Sequence, residues 1–170
     1  AVDLVRQAMP GLDESQVQVA LKYLLDDYLK HCLDQTTLYP HAREALETFH
    51  RAGFKQAVWT NKPQRITNAV IKGLSISHFF EIALGAENGF PHKPDPAGTR
   101  HVLNRLGVSA SEAILVGDSP VDLATAKAVG MDCLLVMTGY SRREDLLAVK
   151  DRLVALCEDY RGVLAYIMND

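Results

Sequence analysis

The stretch Ile114-Leu115-Val116-Gly117-Asp118-Ser119-Pro120-Val121-Asp122 decides how this chain folds. Ala113 to Val116 is a short apolar run without alternation, the pattern of a strand buried on both faces. Gly117 permits a tight turn. Ser119 is placed to cap a helix whose first position suits Pro120, and Ala124, Ala126, Ala128 and Val129 carry that helix on to Gly130. Asp118 therefore falls at the carboxyl end of a buried parallel strand, where open α/β sheets bind their ligands. Asp122 follows one helical turn later and can point the same way. Two carboxylates beside a helix amino terminus suit a hard cation together with a phosphate.

The 170 residues suffice for one domain with a core, or for a core and a small lid. Hydrophobic residues make up 48% and charged residues 23%, the balance of an ordinary globular protein. A formal net charge of -3 gives no electrostatic ground for nucleic acid or an anionic membrane as a partner. Cys32, Cys133 and Cys157 are widely spaced in apolar surroundings and read as buried thiols in a reducing compartment, neither a disulfide framework nor a zinc site. No apolar run is long enough to cross a bilayer, and the first residues carry no signal-peptide pattern. The expected location is cytoplasmic. No pattern in the sequence bears on the oligomeric state.

Residues 1 to 38 read as helical. Val2, Val5 and Met9 recur at helical spacing until Pro10-Gly11 breaks the run. Val17, Leu21, Leu24, Leu25 and Tyr28 form the apolar stripe of a second helix that starts near Asp13 or Ser15. After Leu38 the rhythm changes to strands alternating with helices, which implies a parallel sheet covered on both faces. The expected order is a helix over 41–52, a strand over 56–60, a helix from Pro63 to Gly73, a strand over 82–84, a helix over 98–106, then the strand and helix of the opening stretch. A buried strand from Cys133 to Met137 follows. The last thirty or so residues suggest a helix, a short strand near Leu153 and a terminal helix.

Four side chains stand where this pattern ends its strands. Thr60, in Trp59-Thr60-Asn61-Lys62-Pro63, places a hydroxyl beside a helix start, a cradle for phosphate oxygens. Lys93, in Lys93-Pro94-Asp95-Pro96, sits in a backbone restricted by prolines and can neutralise a phosphoryl group. Asp118 suits Mg²⁺, which takes one or two carboxylates and keeps its waters. Asp122 is a direct or supporting ligand. Taken singly, each has a plainer reading as a helix cap, an exposed lysine or a turn residue. Their fixed order at the ends of successive elements favours a shared site. The six histidines lack metal-ligand spacing.

With Leu38-Tyr39-Pro40, Val58-Trp59-Thr60-Asn61-Lys62-Pro63, Lys93-Pro94-Asp95-Pro96, Val116 to Asp122, Ala128-Val129-Gly130-Met131 and Thr138-Gly139-Tyr140 in view, the chain resembles the haloacid-dehalogenase-like phosphatase superfamily, and within it the phosphoglycolate phosphatase group. The resemblance implies a Rossmann-like α/β core over 39–170 and a partial helical cap over 1–38 that closes over the substrate. It implies that Thr60 and Asn61 bind phosphoryl oxygens, that Lys93 steadies nucleophile and intermediate, and that Asp118, supported by Asp122, holds Mg²⁺. The implied activity is Mg²⁺-dependent hydrolysis of a phosphomonoester on a small metabolite. Another sugar phosphate, a nucleotide or pyrophosphate is the alternative substrate class, and a non-catalytic binding or regulatory module is the alternative function.

One motif of that superfamily has no counterpart here. Its Asp-x-Asp provides the attacking carboxylate and the acid/base. Asp3-Leu4-Val5 and Asp34-Gln35-Thr36 lack the second carboxylate, and Asp26-Asp27 lies within a helical pattern. The chain is expected to begin inside the cap, as a truncated form with little or no turnover. A pseudo-enzyme, or a strand contributed by another segment or chain, are the competing explanations. By the resemblance, the absent strand lies between the one ending at Thr60 and the one ending at Val116. Paired strands lie about 4.8 Å apart, so an empty slot would separate these two by roughly twice that distance.

Overall fold

The structure, a computed structural model, describes residues 2–150 and 153–169. The chain forms two compact units, Ala1–Thr36 and Thr37–Asp170. In the first, helix α1 (Val2–Ala8) is followed by α2 (Glu14–His31). Asp13, not Ser15, caps α2. Its carboxylate accepts from the Gln16 backbone N–H at 2.9 Å, and the Gln16 side chain accepts in return from the Asp13 N–H at 2.9 Å. Of the expected apolar stripe only Val17 and Leu25 are buried, whereas Leu24 and Tyr28 are each 37% exposed. Two helices offer too little surface to cover a whole stripe within such a unit.

The second unit alternates as expected. Helix α3 (Ala42–Arg51) precedes strand β1 (Ala57–Pro63), α4 (Gln64–Gly73) and β2 (Ile82–Ala86). Helix α5 (Pro96–Leu106), β3 (Ile114–Gly117), α6 (Pro120–Lys127) and β4 (Asp132–Val136) follow, then α7 (Arg143–Leu147), β5 (Ala155–Cys157) and α8 (Tyr160–Met168). Several boundaries differ from the sequence reading for local reasons. Pro63 precedes α4 in an extended conformation instead of opening it. Helix α5 begins two residues early because the Asp95 carboxylate accepts from the Ala97 N–H at 2.8 Å. Helix α6 stops at Lys127, and the chain leaves through Gly130 at φ 73. The late strand lies beyond Leu153, at Ala155–Cys157.

All strand pairs are parallel, and they form two sheets. One pairs β1 with β2; the other runs β3-β4-β5. Among the described residues no ladder joins β1 to β3. Strand β4 is the centre of the core, and its side chains alternate between two apolar layers. Leu134 and Val136 pack with Ala45, Phe49 and Val163 from α3 and α8. Cys133 and Leu135 pack on the other face with Leu123, Ala126 and Leu146 from α6 and α7. All three cysteines are buried and free. Burial, with Asp122 adding and Lys93 opposing, pushes the Cys133 thiol up to about 12. In the smaller sheet, Leu84 packs with Val102 and Leu106 of α5, beside Ala57, Trp59 and Ile82.

Strand β3 differs from its sequence reading in a telling way. Its apolar run pointed to burial on both faces, yet every residue is only partly buried or exposed, and Val116 is 38% exposed. Among the described residues, β3 pairs with β4 on one side and with no strand on the other, which leaves that edge less covered. Strand β1 shows the same signature, with all seven residues only partly buried. Hydrophobic truncation is therefore expected to bear unequally on the two sites. Leu134→Ala should destabilise the protein by about 3 kcal/mol, the cost of a cavity in a closed core. Val116→Ala should cost under about 1 kcal/mol, as for a side chain that already meets water. Urea unfolding of both variants measures this, and equal losses would contradict the open edge.

Candidate active site

The site grows from the turn after β3. Ser119 caps α6, with its backbone N–H and hydroxyl both donating to Asp122 Oδ2 at 3.1 and 2.6 Å. The Asp118 N–H donates to the same oxygen at 3.2 Å. The other oxygen, Oδ1, accepts from the Lys93 ammonium at 2.6 Å. Asp122 is thus held by four donors while only 4% exposed. Burial pushes its carboxyl up, but the Lys93 charge and the hydrogen bonds from Lys93, Ser119 and Asp118 outweigh that and hold it below the usual carboxylate range. The carboxyl lies so close to Gly117 that a Cβ there would overlap it. Gly117 is required for this close approach, beyond the turn it makes.

Lys93 reaches Asp122 from the loop between β2 and α5, and Asn61 fixes that loop. Its side-chain carbonyl accepts from the Lys93 N–H at 2.7 Å, and its amide donates to the Lys93 carbonyl at 3.2 Å. Asn61 itself lies where β1 departs from regular pairing, between Trp59 and Pro63. Just before it, the Thr60 hydroxyl oxygen accepts from the Lys62 N–H at 3.2 Å and turns the chain locally. A relay of side chains therefore runs from the end of β1, through Lys93, to α6.

Asp118 is fixed from another direction. Its Oδ2 accepts from the Tyr140 N–H at 3.1 Å, and a Cβ on Gly139 would overlap its side chain. Tyr39 and Tyr160 stack with centroids 6.5 Å apart. Burial raises both phenols; Tyr140 and Asp118 add to the rise at Tyr39, and Asp118 and Tyr39 add to it at Tyr160. Both tyrosines, with Thr60, Lys93, Asp118 and Asp122, line one polar cavity of about 220 Å³. The four side chains singled out from sequence, spread over sixty residues, thus meet. Asn61 stands behind Lys93 and is not among the lining residues.

The sequence reading gave no role to Tyr160, Gly139 or the side chain of Tyr39. Gly139 had a signal, since Thr138-Gly139-Tyr140 stood out as a stretch. Tyr39 read only as part of a turn. Tyr160 lies far from every motif, and only the fold of α8 brings it in.

Other concavities suit chemistry less well. A larger one, about 510 Å³, lies in the first unit among Met9, Leu12, Val19 and Tyr23, and its lining holds no carboxylate, amine or imidazole. No group of three or more His, Cys, Asp or Glu side chains among the described residues is placed to hold a metal. A cation there would have to rely on one or two carboxylates and its own waters. Mg²⁺ binds in that way, and Asp118 fits it. No helix among the described residues is long and apolar enough to cross a membrane.

Comparison with known proteins agrees with this geometry. The chain is 37% identical over 130 residues to the phosphoglycolate phosphatase of Rhodospirillum rubrum, covering 76% of this chain and 54% of that protein. It is 31% identical over 167 residues to the phosphoglycolate phosphatase of Pseudomonas putida, covering 95% of this chain and 60% of that protein. The chain thus spans little more than half the length of these relatives. Among solved structures, it superposes on a predicted phosphoglycolate phosphatase from Haemophilus somnus with a TM-score of 0.86 at 24% identity, covering 98% of this chain and 73% of the other. Residues 3–136 match the family described as haloacid dehalogenase-like hydrolase. The alternating parallel fold, the shared cavity and this match agree: the chain belongs to the haloacid dehalogenase-like hydrolase family.

Proposed function

We propose that these residues form the phosphate- and metal-binding part of a Mg²⁺-dependent phosphomonoester hydrolase of the phosphoglycolate phosphatase type, acting on a small phosphorylated metabolite in the cytoplasm. The observation that carries this reading is the convergence of Thr60, Lys93 and Asp118 on one small polar cavity. At about 220 Å³ it has room for roughly seven waters, which suits a phosphate group and little more of a substrate.

Each residue has a distinct part. The Thr60 hydroxyl donates to a phosphoryl oxygen. The Lys93 ammonium offsets charge on the same group. Asp122 and Asn61 are positioning residues: the first holds the ammonium, the second its backbone. Asp118 holds Mg²⁺, which when bound neutralises charge on the phosphoryl oxygens. Because Asp122 already balances Lys93, the cavity is left with the formal negative charge of Asp118. That charge would oppose a bare phosphate dianion, and a divalent cation held by Asp118 would offset it.

The second reading, binding without turnover, has an observation in its favour. Among the described residues, the cavity-lining carboxylates are Asp118 and Asp122, one assigned to the cation and the other held by four donors. Neither is available to attack phosphorus. The 170 residues by themselves are expected to bind phosphate without hydrolysing its esters. Trp59, the only tryptophan, lines the cavity and reports binding by its fluorescence. Inorganic phosphate should change that signal with MgCl₂ present and not with EDTA, and Lys93→Met should weaken binding by about tenfold or more. An aryl phosphate with MgCl₂ should show no turnover above Asp118→Ala. Hydrolysis that Asp118→Ala abolishes would contradict the assignment of roles, and phosphate binding indifferent to Mg²⁺ would contradict the charge argument.

The Asp122 role has its own test. A carboxyl held below its ordinary value stabilises the fold fully above about pH 4, and that contribution is lost as pH falls through the lower native value. Asp122→Asn removes the charge and leaves Lys93 buried without its partner, a loss of about 3 kcal/mol at pH 7. The difference from the parent protein should shrink as the pH is lowered from 5 toward 2 in denaturant titrations. A difference that stays constant or grows in acid would refute the pairing.

A further inference from the structure

The loop that carries Lys93 leaves β2 at Gly85 and Ala86, and a second side chain from just beyond β1 grips that exit. Gln64 is the first residue of α4. Its carboxamide oxygen accepts from the Gly85 N–H at 2.6 Å and from the Asn88 side-chain amide at 2.9 Å. Its amide nitrogen donates to the Ala83 carbonyl at 3.0 Å and to Asn68 Oδ1 at 2.7 Å. Those four bonds use the whole capacity of a glutamine side chain. The Ala83 carbonyl and the Gly85 N–H flank Leu84, and a neighbouring parallel strand takes such groups as a pair. The Gln64 carboxamide thus meets β2 as a strand peptide group would. Gly85 is buried, so its N–H needs that partner. Nothing larger than glycine fits there: a Cβ would stand 2.6 Å from Gln64 Cα and 2.8 Å from Lys62 O. The start of α4 is fixed in turn, because the Thr67 hydroxyl donates to the Pro63 carbonyl at 3.1 Å.

We propose that Gln64 is a positioning residue for the Lys93 ammonium, and that with Asn61 it clamps the Lys93 loop at both ends. Asn61 holds Lys93 itself, at its N–H and its carbonyl. Gln64 holds the start of the loop at Gly85 and its bend at Asn88. Around Asn88 the chain turns through Glu87 at φ 66 and Gly89 at φ 82. A loop pinned at one end keeps conformational freedom at the other, and ordering it on binding costs affinity. Pinning both ends removes that cost beforehand. The tolerance is narrow: Lys93 Nζ lies 2.6 Å from Asp122 Oδ1, and a drift of about 1 Å would break that bond. Gln64 is not among the residues that line the cavity, so it acts on a ligand only through Lys93. The service of that ammonium to a phosphoryl group rests on the phosphatase reading; the clamp does not.

Gln64→Met keeps the length of the side chain and removes all four bonds. If Gln64 served only to start α4, methionine would do as well. The clamp predicts instead that amide exchange at Lys93 speeds by about tenfold or more, together with Gly85, while residues 134–136 of β4 change far less. Inorganic phosphate with MgCl₂, followed by Trp59 fluorescence, should bind about fivefold more weakly. In a Lys93→Met background, Gln64→Met should weaken phosphate binding no further. Asn88→Ala, at an exposed loop position, removes one bond with little burden on the fold and should speed exchange at Lys93 by about threefold. If Gln64→Met does not fold, Asn88→Ala decides alone, and unchanged exchange at Lys93 overturns the proposal. Faster exchange at Gly85 with Lys93 unchanged would also overturn it. So would equal acceleration at Lys93 and at 134–136, or a phosphate effect that persists without Lys93. Release of Lys93 in a protein whose parent form binds no phosphate would uphold the clamp and count against the phosphatase reading instead.

Discussion

A single buried ion pair holds together what the backbone leaves apart. The two sheets of the second unit share no ladder, yet Lys93 from the loop after β2 and Asp122 on α6 meet at 2.6 Å with their side chains only 13% and 6% exposed. Taking two charges out of water is expensive, and the attraction between them offsets that only with good geometry and further hydrogen bonds. Those bonds are present. Asn61 ties the Lys93 backbone to the end of β1, and three donors from Asp118 and Ser119 complete Asp122. The relay runs from β1 to the turn after β3 through the Asn61, Lys93 and Asp122 side chains and the backbone groups they bond.

The same pair shapes the chemistry. An ammonium already balanced by a carboxylate does not make a strongly positive pocket, so anion binding here depends on a second positive partner. On the proposed reading, Asp118, anchored by the Tyr140 N–H and pressed against Gly139, would bring one in. Stacked Tyr39 and Tyr160 form part of the cavity wall. On the proposed reading, the small volume and the uncompensated charge of Asp118 would favour a phosphate accompanied by a cation over a bare anion or a bulky ligand.

Much of this was legible in the residues. The apolar run before Gly117, the Ser-Pro start of α6 and the strand endings at Thr60 and Asp118 each follow from local rules of period, capping and turn chemistry. The double burial of β3 did not follow, because periodicity reports what a strand is suited to and not whether its neighbour is present. Val116 has the sequence of a core residue and the exposure of an edge residue. Tyr160 was invisible for another reason: no local pattern links the start of α8 to a loop forty residues earlier, and only packing across β4 and β5 does so. Asn61 was legible as part of a motif, but its bonding to the Lys93 backbone depends on an irregularity in β1 that composition does not encode.

The most direct measurement is a double-mutant cycle on the pair itself. Unfolding free energies of Lys93→Met, Asp122→Ala and the combined variant give the coupling between the two side chains without assigning it to either alone. If the pair bridges the two sheets, each single change leaves a buried charge stranded. The double change then costs clearly less than the two together, with a coupling of about 1.5 kcal/mol or more. Effects that add to within about 0.5 kcal/mol would mean that Lys93 and Asp122 act independently, and the bridge between the sheets would have to be sought elsewhere.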